Sequence, residues 1–199
     1  MKIDRNSSPV IPAKAGIYLA GGLRKLTRWI PAFAGMPGEQ LPNDNRYPNM
    51  LKIQTSRLTS DNRELAKGLF IMMAEVFAEG CDHLSDDYLD RLLSREDFWA
   101  IAAFVGDEIV GGLTAHTLPM TRSESSEIFI YDLAVREDQQ RKGIGRQLMT
   151  ALREAAAAAG IQLVLVAADN DDGHALDFYR AVGGVPSPVT FFTFSGDMG

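Results

Sequence analysis

A chain of 199 residues, 46% hydrophobic and 23% charged, has room for one domain of ordinary size and a short addition. Its one cysteine, Cys81, excludes an internal disulfide and a cysteine-rich zinc site, and it has no apolar run long enough to cross a bilayer. The net charge of −6 is uneven: residues 1–49 hold seven Lys or Arg against three Asp or Glu, whereas residues 50–199 hold 13 against 23, an acidic body that disfavours nucleic acid and attracts cations.

Residues 1–49 read as an extension. They hold six of the nine prolines, and Ile11-Pro12-Ala13-Lys14-Ala15-Gly16 recurs as Ile30-Pro31-Ala32-Phe33-Ala34-Gly35. Two weak copies cannot build a solenoid. The paired phrases resemble conceptual translations of short repetitive intergenic elements of bacterial genomes. The expectation is a poorly ordered extension over 1–49, a start at Met50 and a cytoplasmic domain over 50–199. A signal peptide is the alternative, but Pro12 and Lys14 break the apolar stretch, and Arg24, Lys25 and Arg28 follow it.

Periodic structure begins at residues 51–58, a first strand. Ser60 or Asp61 is a candidate cap for a helix through Leu65, Leu69, Met72, Met73, Val76 and Phe77, ended by Gly80. Ser85 caps a second helix with Tyr88, Leu89, Leu92 and Leu93 as its buried stripe. Residues 98–105 form a buried strand, Gly106-Asp107 a tight turn, and residues 108–118 its hairpin partner. Residues 127–135 form the central strand, and residues 145–159 a helix stopped by Gly160. Residues 161–167 are a nearly all-apolar strand, as when both faces are covered. A short helix over 174–182 and a closing strand over 189–194 complete a mixed α/β layered domain.

Between the central strand and the next helix lies Gln140-Arg141-Lys142-Gly143-Ile144-Gly145. Strand, glycine turn, helix is a phosphate-binding arrangement: turn N–H groups and the positive helix end face an anion. A Walker A loop has no match here. A dinucleotide fingerprint lacks its third glycine, and the preceding strands are hairpins. The remaining reading is Gln/Arg-x-x-Gly-x-Gly/Ala. With Leu133-Ala134-Val135 before it, a strand after the helix, and Ala175-Leu176-Asp177-Phe178-Tyr179-Arg180-Ala181-Val182-Gly183, it resembles the GNAT acyltransferase superfamily. Ser126 to Val135, the basic turn, Val166-Ala167-Ala168-Asp169, Tyr88-Leu89, Leu92-Leu93, Gly111-Gly112-Leu113 and Leu118-Pro119 resemble class I aminoglycoside 3-N-acetyltransferases in particular. The likeness covers roughly residues 51–194. Asn170-Asp171-Asp172-Gly173-His174 and Gly183-Gly184 depart from the usual wording of that class, which leaves the substrate range open.

The resemblance implies a GNAT fold: a mixed, mostly antiparallel central sheet flanked by helices and splayed at the central strands. It implies acetyl coenzyme A as acyl donor, a cationic amine as acceptor (the 3-amino group of an aminoglycoside), direct transfer in a ternary complex, and a homodimer, with no nucleic acid or membrane partner. Gln140, Arg141, Lys142, Gly143, Ile144, Gly145 and Arg146 would hold the pyrophosphate, and Leu133, Ala134 and Val135 the pantetheine, with the Leu133 N–H as oxyanion donor. Asp132 is the expected base: it is a polar break in an apolar strand, in the alternation row of Ile128 and Ile130. Tyr179 is the expected acid for the leaving thiolate. Glu127, Asp169, Asp171 and Asp172 are candidate contacts for substrate ammonium groups.

Other readings of the residues carry less. Asp169-x-Asp171 hints at calcium, but the glycine is misplaced and no bidentate acid follows at the right spacing, so no metal is expected. His83 and His116 have no partner at metal spacing, and Cys81 has no evident base. The competing functions are acetylation of a polyamine, another small amine or a protein amine, and, outside catalysis, a coenzyme A-binding regulatory domain.

Overall fold

The computed structural model describes residues 52–192, and the expected boundary at residue 49 lies outside them. Strand β1 is Ile53–Arg57. A 3-10 turn over Ser60–Asn62 leads into helix α1, Arg63–Phe77. Neither Ser60 nor Asp61 caps that helix. Asn62 is its N-cap residue, and the Asn62 carboxamide accepts from the Thr59 N–H at 3.2 Å. Nor does Gly80 end it: Ala78 takes the left-handed conformation with φ 54° and closes the last turn.

Helix α2 is Asp86–Leu93, capped as expected by Ser85, whose hydroxyl accepts from the Tyr88 N–H at 3.3 Å. Leu89 and Leu93 are buried, but Tyr88 is exposed, so the buried stripe is narrower than the spacing suggested. Strands β2, Phe98–Val105, and β3, Glu108–Pro119, form the expected hairpin across Gly106-Asp107. Strand β4 is Ser126–Val135, and helix α3 is Ile144–Ala158. Strand β5 is Leu163–Val166, and helix α4 is Gly173–Ala181.

The five strands lie in chain order, with β1 to β4 antiparallel and β5 parallel to β4. Helices α1 and α2 cover one face: Leu69, Met72, Met73, Val76 and Leu93 pack on Phe98, Ala100, Ala102 and Ala134. Helix α3 covers the other, where Ile144, Leu148, Leu152 and Ala156 meet Ile101, Leu113, Ile128, Ile130, Leu133 and Val135. Both faces of β2 to β4 are therefore covered over most of their length, which explains their largely apolar character. Strand β5 differs from its expected character. It is an edge strand in which Leu163 and Leu165 are exposed while Val164 and Val166 pack inward. The expected closing strand is absent over residues 189–192, where Val189, Phe191 and Phe192 are exposed, and the rest of it lies outside the described residues. None of the described helices is long and apolar enough to cross a membrane.

Two register shifts shape the sheet. The second pairs Thr114 with Asp132 but Ala115 with Ile130, so Tyr131 is an extra residue in β4, a β-bulge. In addition, β5 stops pairing at Ile130↔Val166 while β4 runs on to Val135. The seating of α1 on the sheet includes a size match: Leu69 sits over Gly112, where a Cβ would come 2.3 Å from the Leu69 Cδ1. Leu69→Ala should cost about 3 kcal/mol, and Gly112→Ala about 2 kcal/mol through overpacking. The double variant should be less destabilised than the sum, by ~1 kcal/mol, because the new methyl fills part of the cavity. Strictly additive urea midpoints across the four-protein cycle would refute this packing account.

Candidate active site

The bulge decides where Asp132 points. Without it, Asp132 would follow Ile128 and Ile130 onto the α3 face. One extra residue reverses the alternation: Leu133 and Val135 rejoin Ile128 and Ile130 among the α3 contacts, while Ala134 packs under α1. Asp132 shares the Ala134 face, so the row argument made from spacing does not hold. Its carboxylate is half-buried, and its Oδ2 accepts from the Thr114 hydroxyl at 3.1 Å. Burial raises the Asp132 pKa above the ordinary carboxylate value; the Thr114 hydrogen bond opposes this, and the charge of Glu79, just past α1, adds to it.

The backbone beyond the bulge has one free edge. The Arg136 N–H bonds to the Val110 carbonyl at 3.0 Å, so residues 136 and 134 direct their backbone groups at β3. Alternation sends those of Leu133 and Val135 to the other side, where β5 has ended. The Gln140 side-chain amide donates there to the Val135 carbonyl at 3.2 Å, folding the glycine turn back against the strand end.

The turn itself is preformed. Arg141 has φ 63° and Gly143 φ 86°, left-handed conformations that present successive N–H groups on one side. Gly143 is the N-cap of α3, which has no side-chain cap and no acidic residue in its first turn. The first intrahelical donor is Gln147, to the Gly143 carbonyl at 3.0 Å, so the N–H groups of Ile144, Gly145 and Arg146 remain available to an anion. A Cβ on Gly145 would lie 3.0 Å from the Phe178 ring, so this glycine also serves the packing of α4. Arg141 and Arg146 are exposed, whereas the Lys142 ammonium is tied to the Asp138 carbonyl and the Gln139 side chain, each at 2.9 Å.

Helix α4 brings Tyr179 to the same place. The residue is 8% exposed, yet its hydroxyl has no hydrogen-bond partner. Burial, then the negative charges of Asp172 and Asp132, push the phenol above its ordinary pKa, so it stays protonated. Asp172 has a second duty as N-cap of α4: its Oδ1 accepts from the Ala175 N–H at 2.9 Å. Asp169 closes an Asx turn by accepting from the Asp171 N–H at 3.0 Å, and Asp171 is exposed. These bonds give the acidic loop a structural rationale of its own.

The structure thus gathers Asp132, Leu133, Tyr179 and Asp172 around the open edge of β4, next to the glycine turn. Glu127 is not among them. It lies at the opposite end of β4, opposite Leu118 and Leu163 and roughly 16 Å of strand from Asp132. Two residues that spacing did not single out belong to the site, Thr114 and Glu79. Thr114 carried one signal, as a lone hydroxyl inside the apolar segment 110–115. Glu79 carried none, because its approach to Asp132 depends on the fold of the turn after α1. Among the described residues, no group of His, Cys, Asp and Glu is placed to hold a metal.

Comparison with known proteins agrees with the fold. The model of the acetyltransferase (GNAT) family matches residues 64–183. An aminoglycoside acetyltransferase from an uncultured soil metagenomic sample, meta-AAC0020, solved in complex with sisomicin, is 32% identical and superposes with a TM-score of 0.69 over 72% of this chain and 95% of that one. A second from such a sample, HMB0005, is 33% identical, with a TM-score of 0.69 over 72% of this chain and 98% of that one. The uncharacterized N-acetyltransferase YvbK of Bacillus subtilis (strain 168) is 32% identical over 99 residues, 50% of this chain and 59% of that protein, so the match spans less than two thirds of this curated relative.

The cap and charge of Asp172 are separable. Asp172→Ala should lose about 1 kcal/mol of stability with the cap, a fall of about 3 °C in Tm, while Asp172→Asn, which keeps an acceptor, should melt close to the parent. Equal melting losses in the two variants would mean that the charge, not the cap, carries the effect.

Proposed function

The chain belongs to the acetyltransferase (GNAT) family, and from that premise we propose that it moves an acetyl group from acetyl coenzyme A to an amine of an aminoglycoside. The 3-amino group is the acceptor implied by the sequence resemblance. The observation that carries the reading is the convergence, at the open edge of β4, of a half-buried carboxylate, a free backbone edge and a buried phenol without a partner. The acidic body suits a polycationic acceptor, as do the aminoglycoside acetyltransferases among the similar structures.

The residues present fit such a donor. The N–H groups of Gly143, Ile144, Gly145 and Arg146, with Arg141 and Gln140 shaping the turn, would hold a pyrophosphate. The free edge at Leu133 and Val135 would pair with the amides of a pantetheine arm. Acetyl coenzyme A, when bound, supplies the activated acyl group. Asp132 takes a proton from the acceptor ammonium, and burial raises its affinity for that proton. The Leu133 N–H donates to the carbonyl oxygen that gains charge as the carbon–nitrogen bond forms. The Tyr179 hydroxyl gives its proton to the sulfur as the carbon–sulfur bond breaks, and the second proton of the amine nitrogen returns to the phenolate, leaving a neutral amide, a thiol and the proton held by Asp132. Cys81 is exposed, just past α1, with its thiol turned to the Asp82 carbonyl, which favours direct transfer over a cysteinyl intermediate.

The test is coenzyme A release in the presence of acetyl coenzyme A and, in separate reactions, sisomicin, spermidine or a lysine peptide. Release with sisomicin is expected. Release with only spermidine or the peptide would move the acceptor to another amine class, and tight coenzyme binding without release from any amine would favour a regulatory domain. In the active pair, Asp132→Asn should lower kcat/KM by about 10²- to 10⁴-fold. Tyr179→Phe should lower kcat with the donor KM unchanged, since it removes a bond made only as the sulfur departs.

A further inference from the structure

We propose that Thr114 is a positioning residue for Asp132, holding its carboxylate ready to accept a proton; this rests on Asp132 being the base. Thr114, 7% exposed, carries the one buried aliphatic hydroxyl among the described residues. A hydroxyl in that setting is costly unless bonded, and its bond goes to the Asp132 Oδ2 at 3.1 Å. The two residues face each other directly across β3 and β4, as the last pair before the bulge at Tyr131.

The register explains why this pair forms. The bulge turns Asp132 onto the α1 face, where Thr114 also lies, between Gly112 and the strand end. Threonine is β-branched and keeps few χ1 states in a strand, so its hydroxyl is a fixed donor. One carboxylate oxygen is thereby held, and Oδ1 has no protein donor among the described residues. The groups acting on this carboxylate come from three elements: Thr114 on β3, Glu79 after α1, and Tyr179 on α4, which also feels Asp172. Only Thr114 stabilises the ionised form, and Glu79 opposes it. Loss of the hydroxyl should therefore raise the pH at which Asp132 ionises and free its rotamer.

The experiment is a carbon-13 NMR titration of the Asp132 carboxyl, assigned by its loss in Asp132→Asn, in the full chain and in Thr114→Val and Thr114→Ser. Valine keeps the shape and removes the donor; serine keeps the donor. Thr114→Val should raise the Asp132 midpoint by roughly one unit and Thr114→Ser should return it towards the parent. Glu79→Gln should lower the midpoint. In the rate assay, Thr114→Val should lose about tenfold in kcat with KM for the amine unchanged, and the acid limb of its pH profile should move upward. If Thr114→Val does not fold, Thr114→Ala gives the same comparison. A parental midpoint in the folded variant overturns the inference. Full activity of Asp132→Asn overturns instead the reading on which it rests, whatever Thr114 does.

Discussion

The structure turns on a mismatch of strand lengths. Strand β4 continues past the end of β5 and contains one residue more than β3 can pair. An exposed polar edge is a liability in most sheets, because unpaired N–H and C=O groups invite another chain. Here the edge is short and closed at one end by the Gln140 amide on the Val135 carbonyl. It is a defined slot in an otherwise complete ladder. The bulge beside it sends one carboxylate to the α1 face of the sheet while the flanking leucine and valine hold the α3 face.

Everything else in the domain maintains that slot. The glycine turn keeps its left-handed residues because the Gln140 bond and the Lys142 contacts anchor it to the strand end and to Asp138 and Gln139. Phe178 packs against Gly145 and lies edge-on to Tyr179, with ring centroids 5.3 Å apart. Helix α4 is therefore seated on the same turn that offers free N–H groups. The placement of the phenol and the shape of the anion site are two results of one packing contact.

The order of helices and the first five strands, the hairpin, the glycine turn and the cap at Ser85 are legible because each has a local cause: period, turn chemistry or capping. Apart from the ends of α1, where Asn62 and Ala78 replace the expected residues, the misses share a non-local cause. The bulge at Tyr131 is invisible to strict alternation, which puts Asp132 on the wrong face although its singularity in an apolar strand is plain. Strand β5 reads as fully buried because apolar composition does not tell a central strand from an edge strand; only the sheet order does. Thr114 is ordinary in sequence and acquires meaning through register with Asp132. The acidic loop was legible as charge, but its capping of α4 depends on where that helix starts.

In the proposed reaction, burial at the slot raises both partners' pKa values, which helps the base and hinders the acid. Asp132 gains proton affinity, as a base for an ammonium requires. Tyr179 becomes a poorer donor than an ordinary phenol, and a free thiol has a pKa of roughly 8.5, so proton transfer to sulfur would run uphill. The electrostatic link between the two residues lessens that cost, although burial and Asp172 make the larger contributions. Part of the upward push on Tyr179 is the negative charge of Asp132. Once Asp132 has taken the amine's proton it is neutral, that push vanishes, and the phenol becomes more acidic at the stage when the sulfur needs a proton. Asp172 keeps its share of the push throughout, because it is committed to capping α4. The order of events, base first and acid second, is therefore favoured by the charges themselves. It needs no movement of the fold, only a carboxylate and a phenol close enough for each to feel the other's charge.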